Sequence, residues 1–443
     1  MSSNLPRLLV LTSSDFNLHT SGGIALTRFF GDWPKKRLAS VCRDAANPDN
    51  YRQPNVYLLN REVGLIEPFA SARRILSLLR ANPAAEGEAV ADSHPVAVAS
   101  SLAERALAYL GGEALYSRGK LSPELMAWLD RFGPEVLFTD ASDLSFIRLA
   151  NQILDRYRIP LVVETYDDWP SGRYSGGLLS GHFDRDLKRG YVRLFNRASR
   201  RFVVGDAMKR AYERRYGMPF GILATPVEMG DHKPETASQN QGEAFTIVYA
   251  GAVYDHSQRE SLVDVVRAVQ DLADGGLPMR FRILTPERFV GTIQGDVASF
   301  GCVKVEVSPA SDAIYSALSS ADLLVIPVNF DRESYRTVRY SVPGKVALYL
   351  SSGCPVLVYG PSWAPIVDYV RSRRCAAVVD RRDGLAETIS DLASDESKRE
   401  HLAARGLEVA RREHDADVVR RRLQRMFRDV LAPTDPSFAE GRG

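Results

Sequence analysis

Residues Arg339–Pro361 read RYSVPGKVALYLSSGCPVLVYGP. A proline at a first-turn position, an apolar-periodic run and then SSG predict a short helix that starts near Pro343 and stops at Ser351–Gly353. The following PVLV is a continuous apolar run, as expected of a parallel strand covered by helices on both faces. A similar run, Leu323–Pro327, comes before it. Strand, helix and strand in that order make a βαβ unit, so the chain reads as α/β with parallel sheets.

Working outward, the same alternation fills the second half of the chain. Strand Phe245–Tyr249 leads to helix Glu260–Leu272, strands Arg280–Thr285 and Val303–Val307, and helix Ala310–Ser319. After strand Leu323–Pro327 come an irregular stretch, helix Gly344–Ser352, strand Pro355–Val358, helix Trp363–Val370, strand Ala376–Val379 and two terminal helices. The first half opens with strand Arg7–Thr12, a polar glycine-containing loop and a helical segment Ile24–Phe30. A short strand Val56–Leu59 and a stretch of helical periodicity at about 62–120 follow. Then come helix Pro123–Phe132, strand Val136–Thr139, helix Ser145–Tyr157, strand Leu161–Thr165, helix Phe183–Ala198, strand Arg201–Val204 and helix Asp206–Tyr216. Between the halves, Met229–Glu243 is polar and without periodicity, the mark of a linker. The expected fold is therefore two Rossmann-like domains facing across a cleft: an N-terminal domain 1–225 with a helical insertion at about 62–120, a linker 226–243, a C-terminal domain 244–415, a last helix 416–431 and a flexible tail 432–443. Ligands of such folds bind at the carboxyl ends of the strands.

Composition agrees with this size. At 443 residues the chain exceeds what one hydrophobic core supports, and 45% hydrophobic with 25% charged residues is an ordinary globular balance. Its 57 Lys plus Arg against 55 Asp plus Glu leave +2, so no overall field recommends nucleic acid. Cys42, Cys302, Cys354 and Cys375 are widely spaced with no CxxC pair, which predicts buried thiols in a reducing compartment. No stretch reaches 18 apolar residues, and the start is too short for a secretory segment, so a soluble cytoplasmic protein is expected.

The helix start at Pro343, Gly344 and Lys345 brings backbone N–H groups and a cation together, a combination suited to a diphosphate. A plain βα unit with a surface lysine fits the same residues. Gly22 and Gly23 would let the backbone approach a ligand, and a simple turn explains them as well. Asp167 and Asp168 follow a strand at its carboxyl end, where they either handle an acceptor hydroxyl or cap a turn. His19 lies in the loop beside the glycines. Asp184-Arg185-Asp186 spells a metal-binding D-x-D, but on a helix residues two apart point to different sides, so no metal site is expected. The last helix, Val418–Val430, sets Val419, Leu423, Met426, Phe427 and Val430 on one side, and Arg420, Arg421, Arg422, Arg425 and Arg428 around the other.

The spacing P-x-K-x-x-x-Y-L-x-S-G-x-P-V from Pro343 resembles the donor-binding helix of GT-B glycosyltransferases, in particular the group-one, glycogen-synthase-like enzymes of bacterial polysaccharide assembly. SGGIALTRFFGDWPKKRLA at Ser21–Ala39, DDWP at Asp167–Pro170, DAMKRAYERRYG at Asp206–Gly217 and VYAGAV at Val248–Val253 are similar to further blocks of that family, in order along most of the chain. The resemblance implies transfer of a sugar from a nucleotide-diphosphate sugar to a glycan or lipid-linked acceptor, with retained configuration and no metal or other cofactor. It implies a last helix that crosses back to the first domain, and the arginine face of that helix suits a peripheral contact with anionic lipid at the inner membrane face. Donor contacts are then expected from Gly22, Gly23, Gly251, Tyr254, His256, Arg259, Ser341, Pro343, Gly344 and Tyr349. Arg339, Lys345 and Asp168 are the catalytic candidates, with His19 and Asp167 on the acceptor side. Arg332, Arg336, Arg339 and Lys345 would stabilise the charge developing on the leaving diphosphate. Two positions depart from the pattern: Leu348 and Tyr340 stand where the family carries glutamates, and a leucine cannot accept a ribose hydroxyl. A degenerate, non-catalytic GT-B-like subunit and a sugar-nucleotide 2-epimerase are the alternatives.

Overall fold

The computed structural model describes residues 5–18, 20–43, 55–59, 119–172, 180–229, 244–309 and 311–431. The insertion at about 62–120 (save residues 119 and 120), most of the linker, the tail 432–443 and His19 lie outside the described residues. Cα packing divides the chain into two compact units. One takes the N-terminal residues through Leu26, Asp32–Phe202 and the chain from Gln424; the other takes Thr27–Gly31 and Val203–Leu423.

The first sheet is built from β1 (Leu8–Leu11), β2 (Leu38–Cys42), β3 (Val56–Leu58), β4 (Val136–Thr139), β5 (Leu161–Thr165), β6 (Arg200–Val203) and β7 (Gly221–Ile222), in the order β3-β2-β1-β4-β5-β6-β7. β1 runs parallel to both β2 and β4, and β4 parallel to β5. β1, β4 and β5 are buried along their whole length, which is why they read as unbroken apolar runs. The helices are α1 (Ser21–Phe30), α2 (Pro123–Phe132), α3 (Leu144–Tyr157) and α4 (Ser180–Arg197). Local chemistry sets their ends: Ser122 caps α2 by accepting from Leu125 N at 3.0 Å, and Gly133 closes it at φ +63°. Asp143 caps α3 by accepting from the amides of Ser145 and Phe146.

The second sheet contains β8 (Phe245–Ala250), β9 (Met279–Thr285), β10 (Val303–Val307), β11 (Leu323–Pro327), β12 (Val356–Tyr359) and β13 (Ala377–Val379), in the order β10-β9-β8-β11-β12-β13. Its ladder is parallel throughout. Accompanying helices are α5 (Asp206–Tyr216), α6 (Arg259–Asp274), α7 (Glu287–Val297), α8 (Ser311–Ser319), α9 (Arg332–Val338), α10 (Lys345–Ser351), α11 (Pro365–Arg373), α12 (Leu385–Ser394), α13 (Glu396–Val409) and α14 (Ala416–Leu431). In both sheets the strand order reverses beside the first strand, between β1 and β4 and between β8 and β11. That reversal opens a crevice at the carboxyl ends, the usual ligand position of doubly wound folds.

Several expectations need correction. β2 and α7 add to the expected elements, and the stretch after β11, expected to be irregular, holds α9, capped by Asp331. Three helices rather than two follow β13, joined by a π-helical turn at Ala410–His414. Helix α1 begins at Ser21, so Gly22 and Gly23 sit in its first turn and not in the loop. α14 starts among residues of the second unit, while its last turns belong to the first, where Phe427 meets Trp33 edge-on at 5.3 Å. Burying one such aromatic stabilises by about 1.5–3 kcal/mol. Arg420, expected on the exposed basic face, is buried and holds Glu228 at 2.7 Å, whereas Arg421, Arg422, Arg425 and Arg428 are exposed. Among the described residues, no helix is long and apolar enough to cross a membrane.

Candidate functional site

At the crevice of the second sheet, β8 ends in Ala250–Gly251 and α10 begins with Lys345. Gly251 adopts φ +142°, a conformation L side chains rarely take, and a Cβ there would lie 2.7 Å from Lys345 Nζ. Glycine is therefore required on two counts, backbone and space. Lys345 Nζ donates to Tyr249 Oη at 2.8 Å and sits 4.0 Å above the centre of the same ring. Among the described residues no carboxylate pairs with it. Burial pushes its pKa down to about 7, because a desolvated ammonium held only by a phenol is less favourable than one in water. The Tyr249 hydroxyl donates to Ala252 O at 2.5 Å and accepts from Gln258 Nε2 at 3.3 Å, which fixes the loop under the lysine.

The rest of the donor helix plays a different part. Tyr349 is fully buried; its hydroxyl accepts from Ala250 N at 2.6 Å and donates to Ala250 O at 3.1 Å, so it holds the end of β8 in place. Pro343 O accepts from Val346 N at 3.0 Å, Gly344 is exposed, and Ser341 N donates to Val338 O at 3.0 Å. α10 has only seven residues, so the charge at this end resides in Lys345 more than in a helix dipole. Leu348 is half-buried and packs against the core of the second unit. Tyr340 lies under two guanidinium groups, Arg339 at 4.9 Å and Arg215 at 6.0 Å from the ring centre. Arg339 also lies 5.8 Å from the Tyr335 ring.

Beyond β8, Tyr254 is 40% exposed, stacks on exposed His256 at 5.3 Å and meets Phe289 edge-on at 5.0 Å. The three rings form an aromatic ledge. Arg259 behaves differently from its expected role as a phosphate contact. Asp296 grips it with two bonds of 2.6 and 2.9 Å, and Asp255 adds a third at 2.7 Å. These carboxylates raise its pKa and compensate its charge within the fold.

In the first unit, an added Cβ at Gly22 would lie 2.5 Å from Ser14 Oγ, and one at Gly23 would lie 2.3 Å from Asn17 Nδ2. What approaches these glycines is the loop after β1. Asp167 O accepts from Trp169 N at 2.8 Å and Asp168 O from Ser171 N at 2.9 Å, in a turn that leads into a short helical segment at Trp169–Gly172. Asp184 pairs with Lys188 at 2.7 Å and Asp186 with Arg148 at 3.2 Å, on diverging sides of α4. Sequence reading missed Tyr249, and it missed a buried carboxyl pair, Asp140 and Glu164. The pair carried a signal: Glu164 is a charged residue inside an apolar strand run.

No protein-family model matches the chain, and no curated protein matches its sequence. Solved structures do match in fold. Sucrose-phosphate synthase from Thermosynechococcus elongatus aligns with a TM-score of 0.61 at 12% identity, covering 96% of this chain and 100% of that one. HepE from Anabaena, in complex with UDP and glucose, aligns with 0.57 at 12% identity over 95% and 99%. Trehalose 6-phosphate synthase from Burkholderia multivorans aligns with 0.59 at 13% identity over 99% of both chains. The chain has the two-sheet α/β architecture of GT-B glycosyltransferases, as its motifs led one to expect.

Proposed function

We propose that the protein is a GT-B glycosyltransferase that takes its sugar from a UDP-linked donor, seated at the crevice of the second sheet. The observation that carries this reading is Lys345: a desolvated cation, held against Gly251, with no countercharge among the described residues. A diphosphate placed there supplies the missing charge, and in turn the ammonium stabilises the negative charge that grows on the departing nucleotide as the glycosidic bond breaks. The structural likeness to HepE with UDP bound supports the choice of nucleotide. Retention of configuration, independence from metal, and a glycan or lipid-linked acceptor in bacterial surface polysaccharide or glycoconjugate assembly belong to the same proposal. The exposed arginines of α14 suit contact with anionic lipid at the cytoplasmic membrane face, next to such an acceptor.

A second reading, binding without turnover, is favoured by one observation: Leu348 packs against the core where a ribose-binding carboxylate would be needed. Calorimetry with UDP, ADP and GDP, followed by a donor-hydrolysis assay, separates the two. UDP binding with release of free sugar supports the enzyme, whereas binding without release supports the second reading. Lys345→Ala is expected to weaken UDP binding by about 1.5–3 kcal/mol, the value of a charge-assisted hydrogen bond. Unchanged affinity in a folded variant would remove the diphosphate from this position.

A further inference from the structure

A cavity of about 510 Å³ opens between α5 and α11. Neither Lys345 nor Gly251 lines it, and every residue that does belongs to the second unit. Buried Pro365 and half-buried Val342 supply apolar surface, and exposed Asp206, Arg210, Asp368 and Arg371 stand around them. Two of these charges are engaged within the fold: Arg373 lies 3.5 Å from Asp206, and Arg371 holds Asp380 at 2.8 Å. The other two are not. Neither Arg210 nor Asp368 makes a hydrogen bond or an ion pair among the described residues. The open groove along α4 differs in this respect, because there Asp155 takes Arg193 and Arg197, and Asp184 takes Lys188.

A volume of this size lies within the range of small-molecule sites, roughly 300–1,000 Å³. The charges around it restrict the ligand. An anion alone would meet Asp206 and Asp368, and a cation alone would meet Arg210 and Arg371. A neutral molecule would displace water from Arg210 and Asp368 without matching either charge. A small molecule that carries both signs matches both walls. The guanidinium of Arg210 presents a planar fork suited to a carboxylate or a phosphate, and the carboxylate of Asp368 accepts from an ammonium. Val342 and Pro365 then lie against the carbon skeleton between the two charged groups.

We propose that the cavity between α5 and α11 is a second small-molecule site and takes a zwitterion, with its acidic group on Arg210 and its ammonium on Asp368. The proposal stands independently of the donor reading above. Two sources share this chemistry, a free α-amino acid and an amino-sugar phosphate, and the test separates them. Calorimetry on the full chain uses the common α-amino acids in one arm and glucosamine 6-phosphate in the other. Each arm carries analogues that lack one charge: N-acetylated and amidated amino acids in the first, glucosamine and glucose 6-phosphate in the second. At least one zwitterion is expected to bind with a dissociation constant below about 1 mM, and at least tenfold more tightly than its singly charged analogues. The arm in which it binds identifies the source. Arg210→Ala and Asp368→Ala, both at exposed positions, are each expected to weaken that binding at least tenfold, with the thermal unfolding midpoint and the UDP affinity unchanged. No zwitterion binding below 1 mM, equal binding of the singly charged analogues, or unaltered affinity in the two folded variants would overturn the inference.

Discussion

The two sheets share one topology and end in opposite chemistry. Among the described residues, Lys345 stands without a carboxylate where β8 and β11 part, and Asp140 and Glu164 stand without a paired cation where β4 and β5 end. Neither arrangement helps folding. An unpaired Lys345 binds fewer protons in the native state than in the unfolded chain between about pH 7 and its ordinary value near 10.5, so its contribution to stability grows as pH rises through that range. Asp140 and Glu164 behave the other way round: their raised pKa values mean the native state holds extra protons, and stability falls as pH climbs from the unfolded carboxylate range past about 7. The two edges therefore respond to pH in opposite directions although their strand orders match.

Nucleotide affinity is expected to depend most strongly on pH. UDP-glucose has no ionisation near neutrality, so its affinity should report the protonation of Lys345 and fall roughly tenfold per unit above pH 7, a slope of about 1.4 kcal/mol per unit. Calorimetry in buffers of different ionisation enthalpy should show about one proton taken up on binding at pH 8. A flat profile would mean that the lysine does not meet the phosphates.

Gly251→Ala sharpens the same point. The new methyl meets the lysine tip and the backbone is held at positive φ, so a loss of about 1–3 kcal/mol in stability is expected, together with weaker UDP binding. Chemical denaturation and nucleotide titration of one variant check both parts. Leu348→Glu places a carboxylate against the core of the second unit, and its expected cost is about 1 kcal/mol or more, with no gain in UDP affinity. A tighter complex would show that this helix face opens onto the ribose. Smallest is Asp168→Asn, expected to change UDP affinity by less than about 0.5 kcal/mol, because the residue sits on the other sheet's edge.

Much of the fold was legible along the chain. β4, β5, β10 and β11 carry the boundaries their apolar or β-branched runs imply, and α2 is bracketed by its own serine cap, proline and glycine. The missed elements had weaker local signals. In α7, Gly291 and Gly295 lower helix propensity, and both face open space, so nothing in their surroundings demands glycine. β2 mixes Ala39 and Ser40 into a short run, and only its place beside β1 makes it a strand.

The site was legible in its parts and not in its assembly. Lys345 and Gly251 each stood out, one by its place at a helix start and the other by its place after a strand. Arg259 stood out equally, yet Asp296 and Asp255 absorb its charge. Periodicity and capping are local, so residue order alone determined the strands, the helices and the doubly wound class. Whether a charge is paired depends on residues far away in the chain: Lys345 meets Tyr249 across 96 positions, and Arg259 is held by Asp296 across 37. Only the tertiary structure decided which cation is compensated and which stands without a carboxylate among the described residues, because pairing and desolvation are set by packing between distant segments.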